Sequence, residues 1–221
     1  YNLFSNYFMS TNYTDDIMLQ ALKQLAPFSS ASDGQLAAAS VRILQTMVSY
    51  MAILEKFYLA VQICRGASGP DMLSVTTWET GVALYVGSIE GHARGGDSLR
   101  DGTLLYGLAK DLCGFFGTCE GSGDASINEF LIDAFGDGRD LLVDKDCDGA
   151  DGIIRDAILG SLPVPLIQGT LFEAYVLDEQ VAGTEVPDLA SGYIFALSVI
   201  PLIMNKTIAT TIKTNMAFDL N

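Results

Sequence analysis

This sequence is short of charge. Charged residues fill 18% of its 221 positions, against about a quarter in an ordinary globular domain. Its surface is therefore unusually uncharged, or part of it is covered. Cations are the scarcest: 12 Lys and Arg stand against 27 Asp and Glu, a formal net charge of −15. A field of that sign repels nucleic acid and anionic lipid and attracts cations, so nucleic-acid binding is excluded. Histidine occurs once, as His92. A Ser-His-Asp device would need it as the base, and there is no G-x-S-x-G; "GSIEG" is not that motif. "HARGGD" lacks the lysine of a phosphate-binding loop. The residues specify no enzyme. Cys-x-x-Cys is missing, which removes zinc-ribbon and thioredoxin-like readings. No apolar run reaches the roughly 18 residues that suggest a membrane span. The nearest, "GYIFALSVIPLIM" (192–204), holds a proline and reads as a core helix.

What is present is helix. Hydrophobic residues fill 49% of the chain, enough for a large core. "QLAAASVRILQTMVSYMAILEKFYLAVQIC" (35–64) follows the capping candidates of "SSASDG", and Leu44, Val48, Met51 and Tyr58 recur at the spacing of one helix face. Further helices are expected at "WETGVALYVGSIEGH" (78–92), "SLRDGTLLYGLAKDLCGFF", "ASINEFLIDAFGDGRDLLV" with a break at its glycines, "IIRDAILGSLP", "LIQGTLFEAYVLDEQ", and a last one from about 188 to 216 kinked at Pro201. Pro163 and Pro165 break or kink the chain between two of these. An aromatic arm, "YNLFSNYF", and a short helix from about Asp15 fill residues 1–25. With no strand-like alternation beyond four residues and no low-complexity linker, the expectation is one all-α domain over 1–221. It is a bundle of about six to eight helices with kinked C-terminal helices.

The four cysteines, Cys64, Cys113, Cys119 and Cys147, suit two disulfides in an oxidising compartment. Three pairings are open; Cys113–Cys119 with Cys64–Cys147 is preferred. Two glycosylation sequons, Asn12-Tyr-Thr and Asn205-Lys-Thr, agree with secretion. The sequence begins at Tyr1 with neither Met nor signal peptide, as a mature or trimmed form would.

Two places invite a cation. The helix at 78–92 is apolar nearly all round yet carries Glu79, Glu90 and His92. Glu79, Ala83, Val86 and Glu90 share one stripe, with the carboxylates about 16 Å apart along the axis. Each would need ligands from another helix, for which Glu55 and Glu173 are candidates. Carboxylates with one imidazole on facing helices suit iron or manganese better than thiolate-loving metals. The paired Glu-x-x-His of carboxylate-bridged diiron proteins is absent. The competing reading is structural: such glutamates accept hydrogen bonds from Tyr, Arg or backbone, and His92 sits in a loop. The second place is "DKDCDGADGIIR" (144–155). Asp144, Asp146 and Asp148 hold positions 1, 3 and 5 of a calcium loop and Gly149 position 6, but Asp151 at 8 and Arg155 at 12 depart from it. Its alternative is an acidic loop whose carboxylates help to start the next helix.

"FSNYFMSTNYTDD", "TTWETGVALYVGSIEGH", "GTLLYGLAKDLCGFFGTC" and "PVPLIQGTLFEAYVLD" stand in an order that resembles the algal iron-assimilation proteins, induced in green algae by low iron or high carbon dioxide, with relatives among diatom iron-starvation-induced proteins. The resemblance runs from about residue 4 to 216. It implies a helical, non-enzymatic protein of the periplasm or cell surface linked to iron supply, with metal as its partner. The alternative is a structural or interaction subunit that associates with itself or with a larger extracellular or membrane assembly. Low charge and positive mean hydropathy favour that alternative.

Overall fold

The computed structural model describes residues 2–66, 72–87, 104–179 and 189–218. Over these the chain is all-α, with two disulfides, Cys64–Cys147 and Cys113–Cys119. The helices are α1 (Asn2–Phe8), α2 (Tyr13–Leu22), α3 (Asp33–Ile43), α4 (Ser49–Gly66), α5 (Met72–Val86), α6 (Leu105–Phe116), α7 (Ser126–Val143), α8 (Cys147–Ile153), α9 (Leu159–Ser161), α10 (Val164–Glu179), α11 (Leu189–Val199) and α12 (Lys206–Asn215). Single π-helical turns, Leu44–Val48 and Ile154–Ile158, join some of them. Counted through such joins there are nine helices among the described residues, one more than the upper expectation. Two stretches, Asp33–Gly66 and Cys147–Asp178, are long and apolar enough by length and composition to cross a membrane, and about half of each apolar window is buried within the protein (44% and 50%).

The sequence reads as one domain. By its contacts the chain divides into two compact units, Tyr1–Val48 with Leu166–Asn221, and Ser49–Pro165. The division falls at a helical turn on one side and beside Pro163 and Pro165 on the other, so no shift in composition marks it.

In the first unit α3 packs on α11 and α2. Ser32 starts α3 with a capping box, its side chain accepting from the Gln35 N–H while the Gln35 side chain accepts from the Ser32 N–H. The aromatic arm is helical, and Phe8 stacks on the buried Tyr13 at 5.0 Å. Phe28 is fully buried against Tyr193 and Phe218. Phe195 of α11 lies against Gly169 of α10, where a Cβ would stand 2.3 Å from the ring. Arg42 lies over that ring at 5.0 Å and donates to Ser191 Oγ at 2.9 Å.

The second unit is built on Trp78. Its indole is fully buried 4.4 Å from the Phe57 ring, and its N–H donates to the Phe135 carbonyl at 2.9 Å. Gly138 makes room for it, since a Cβ there would meet the indole at 2.1 Å. So the expected break at the α7 glycines is absent; α7 runs unbroken and its glycine serves packing. Gly81 likewise admits Phe57.

Three further expectations change. The stripe Leu44, Val48, Met51 and Tyr58 is not the core face: Leu44, Val48 and Tyr58 are exposed, while Ile43, Met47, Tyr50, Leu54, Phe57 and Val61 are buried. Both rows are apolar at helical spacing, and the buried one, one residue earlier at each step, runs straight through the π turn at Leu44–Val48. The final helix is not kinked but broken: α11 tightens into a 3-10 turn, Ile200–Leu202, and Asn205 caps a new helix. The acidic loop is also helical from Cys147 onward.

Cys64–Cys147 closes a loop of 83 residues and Cys113–Cys119 one of 6. Chain entropy then makes the first worth about 4–5 kcal/mol and the second about 2. The Cys64→Ala/Cys147→Ala pair is expected to lower the urea midpoint about twice as far as Cys113→Ala/Cys119→Ala at equal m-value.

Candidate functional site

The helix that carries Glu79 stops early. Gly87 takes φ +78, its N–H bonds to the Ala83 carbonyl, and α5 ends at Val86. Glu90 and His92 lie outside the described residues. Glu79 is half-exposed and bound to a cation: Arg139 Nε donates to its carboxylate at 2.9 Å and Arg139 Nη1 to Asp140 at 3.0 Å. That hydrogen bond raises the proton affinity of the guanidinium further above its usual range. The wedge of Trp78 into Gly138 brings this pair together, because Glu79 and Arg139 are the next residues on α5 and α7. Glu55 is exposed on α4. Glu173 is buried on α10, in the first unit, whereas Glu55 and Glu79 belong to the second. Among the described residues no group of three or more His, Cys, Asp or Glu is arranged to hold a metal ion.

The calcium-like stretch is used differently. Asp144 ends α7. Asp146 is the N-cap of α8, its Oδ1 accepting from the Gly149 N–H at 2.8 Å. Asp148 takes two hydrogen bonds from Arg65, at 2.7 and 3.1 Å, and Asp151 lies 3.3 Å from Arg65 and 3.4 Å from Arg155. Burial, and then the Asp151 charge, raise the pKa of nearby Tyr58. Arg65 adjoins Cys64, and Cys147 precedes Asp148, so the disulfide places this ion pair.

One cleft was not foreseen. A space of about 270 Å³ in the second unit is lined by Tyr106, Asp124, Asn128, Glu129, Ile132 and Asp133. Asp124 is paired with Lys110 at 3.0 Å. Glu129 and Asp133 have no basic partner among the described residues. They sit one turn apart at the start of α7, an i, i+4 pair that sequence could have shown. The cleft floor is a buried polar chain: Tyr85 Oη donates to Asn128 Oδ1 at 2.6 Å, and Asn128 Nδ2 donates to the Tyr106 carbonyl at 3.0 Å. No protein-family model matches the chain, and no curated protein or solved structure matches it either.

Burial, with a smaller contribution from Tyr106, pushes the Tyr85 phenol well above its ordinary value near 10. Tyr85 must therefore stay protonated in the fold while it ionises in the unfolded chain. Its contribution to stability is complete below pH 10 and falls by about 1.4 kcal/mol per pH unit above it. Alkaline urea titrations of Tyr85→Phe should show a shallower loss above pH 10. At pH 7 the same variant should be about 1–3 kcal/mol less stable, because Asn128 loses its donor.

Proposed function

We propose that this chain is an extracytoplasmic, non-enzymatic interaction subunit, whose apolar helix face packs against an unlike protein partner. One observation carries this. The inner face of α10 is buried, and its outer face, where polar residues belong, presents Ile167, Leu171 and Tyr175 at i, i+4 and i+8, each 46% exposed or more. Residues four apart form a ridge of the kind that packs into the groove of a neighbouring helix. The same unit exposes Val41, Leu44 and Val48 at i, i+3 and i+7. The partner is unlike because a chain of charge −15 repels its own copy. α10 has no Lys or Arg, and its exposed charged side chain is Asp178, which matches an apolar face flanked by basic residues. Two disulfides support an oxidising compartment. Two of the candidate metal ligands, Glu79 and Asp148, pair with arginines.

The test compares sedimentation of the full chain in extracts of its natural source with that of the purified chain. A complex is expected in the extract, with crosslinks at residues 167–175. A Leu171→Glu/Tyr175→Glu chain with unchanged helical circular dichroism should sediment alone. A parent chain that sediments as a free monomer in the extract overturns the reading. So does partition of the purified chain into a detergent phase, which would give this face to lipid.

The cleft favours a second reading, metal capture, with iron first and calcium second. Glu129 and Asp133 offer hard oxygen donors that have no ion-pair partner among the described residues. The sequence resemblance to algal iron-assimilation proteins supports iron. Elemental analysis of chelator-free native protein is expected to find near-stoichiometric iron that falls in Glu129→Gln/Asp133→Asn; metal-free protein would sink this reading.

A further inference from the structure

We propose that Asn205 carries an N-linked oligosaccharide, and that this glycan covers the apolar side chains exposed beside it. The proposal rests on the extracytoplasmic reading above. The two sequons fold differently. In Asn205-Lys206-Thr207 all three residues are exposed. Asn205 is the N-cap of α12, and its Oδ1 accepts from the N–H groups of Thr207 at 3.0 Å and Ile208 at 3.2 Å. That leaves Nδ2 pointing away from the helix, without a hydrogen bond among the described residues. A glycosylated carboxamide keeps its oxygen, so the cap survives the modification. No residue of α12 is buried, so its first turn can open at small cost to enter a transferase.

Asn12-Tyr13-Thr14 lacks these properties. Tyr13 is 3% exposed and stacked on Phe8, Thr14 is half-buried, and the Asn12 side chain makes no cap. Presenting this sequon means lifting Tyr13 out of its aromatic cluster.

The surroundings of Asn205 also call for cover. Met204, the residue before it, is 98% exposed, the highest value of any large hydrophobic side chain described, and Ile208 one turn on is 51% exposed. A sugar attached at this cap is a bulky, solubilising group over both. The chemistry is a glycosyl transfer from a lipid-pyrophosphate-linked oligosaccharide. Asn205 Nδ2 forms a bond to the anomeric carbon of the first sugar as the bond from that carbon to the pyrophosphate oxygen breaks. The lipid pyrophosphate leaves with the electron pair, and a carboxylate of the transferase takes one proton from Nδ2.

The full chain is to be secreted from a eukaryotic cell behind a heterologous signal as parent, Thr207→Ala and Thr14→Ala. Thr207→Ala removes the sequon but keeps the capping carboxamide. Intact mass and free thiols are read before and after peptide N-glycosidase, which leaves aspartate where the glycan stood. The expected result is an oxidised parent with one oligosaccharide at Asn205, lost in Thr207→Ala and retained in Thr14→Ala. Deglycosylation should also speed oxidation of Met204 by peroxide. An oxidised, secreted parent with no sugar at Asn205 overturns the proposal and leaves the extracytoplasmic reading standing. Sugar that disappears only in Thr14→Ala overturns it too. A parent that is retained with reduced thiols overturns both.

Discussion

The contact between Trp78 and Gly138 organises the second unit. An indole lying where a Cβ would stand 2.1 Å away fixes how closely α5 and α7 approach. The indole N–H bond to the Phe135 carbonyl fixes its rotation about that contact. Phe57 closes on the ring from α4, and Gly81 of α5 lets it do so. Tyr85, two turns further along α5, meets Phe135 and reaches Asn128, so the same packing sets the floor of the acidic cleft. Even the surface follows from it. Glu79 and Arg139 are each one residue beyond the contact, which is why the carboxylate that looked stranded on an apolar helix has a guanidinium at 2.9 Å.

How much of this the sequence shows depends on what each property needs. The all-α class and both disulfides were legible, because helical periodicity is local and four cysteines allow few pairings. Helix register was not. Leu44, Val48 and Tyr58 share a spacing on an ideal helix, but so do the neighbouring Ile43, Met47, Tyr50, Leu54, Phe57 and Val61, and two adjacent apolar rows do not say in sequence which one is buried. Glycine misled in α7, where Gly136 and Gly138 suggested a break, because a glycine needed for a neighbour's ring looks the same in sequence as one that ends a helix. The two-unit division was invisible because it runs through helical turns and carries no polar linker. Of the candidate site, sequence singled out Glu79, Asp146 and Asp148. It could not supply Arg139 or Arg65, which lie 60 and 83 residues away. Glu129 and Asp133 were overlooked although their i, i+4 spacing at a helix start was there to see.

Low charge now has a physical meaning. A bundle that is solvated all round keeps polar residues outward, and α4 does so at Glu55. α10 does not: its outward row is Ile167, Leu171 and Tyr175, while polar Gln168, Thr170 and Glu173 face inward. This inversion explains why composition alone suggested covered surface. Many large hydrophobic side chains are exposed, and some of them lie in rows at helical spacing. Scattered exposed leucines need no explanation, but a row on one face of one helix does.

The stretch from Asp144 to Arg155 shows how one spacing serves two ends. Carboxylates at positions 1, 3 and 5 followed by glycine will wrap a calcium ion when the chain curls around it, and the residue at position 12 closes the shell. Here the same carboxylates meet a helix that starts at Cys147. Asp146 gives its oxygen to the Gly149 N–H, one of the donors that the first turn leaves unsatisfied. Asp148, in that first turn, sits at the positive end of the helix dipole and takes Arg65 as its counter-charge. Cys147, bonded to Cys64, holds the turn where Arg65 can reach it. A closing glutamate at position 12 would have drawn the balance toward the ion. Arg155 in its place adds a cation next to Asp151 instead, so in this fold Asp148 and Asp151 are answered by the protein's own arginines.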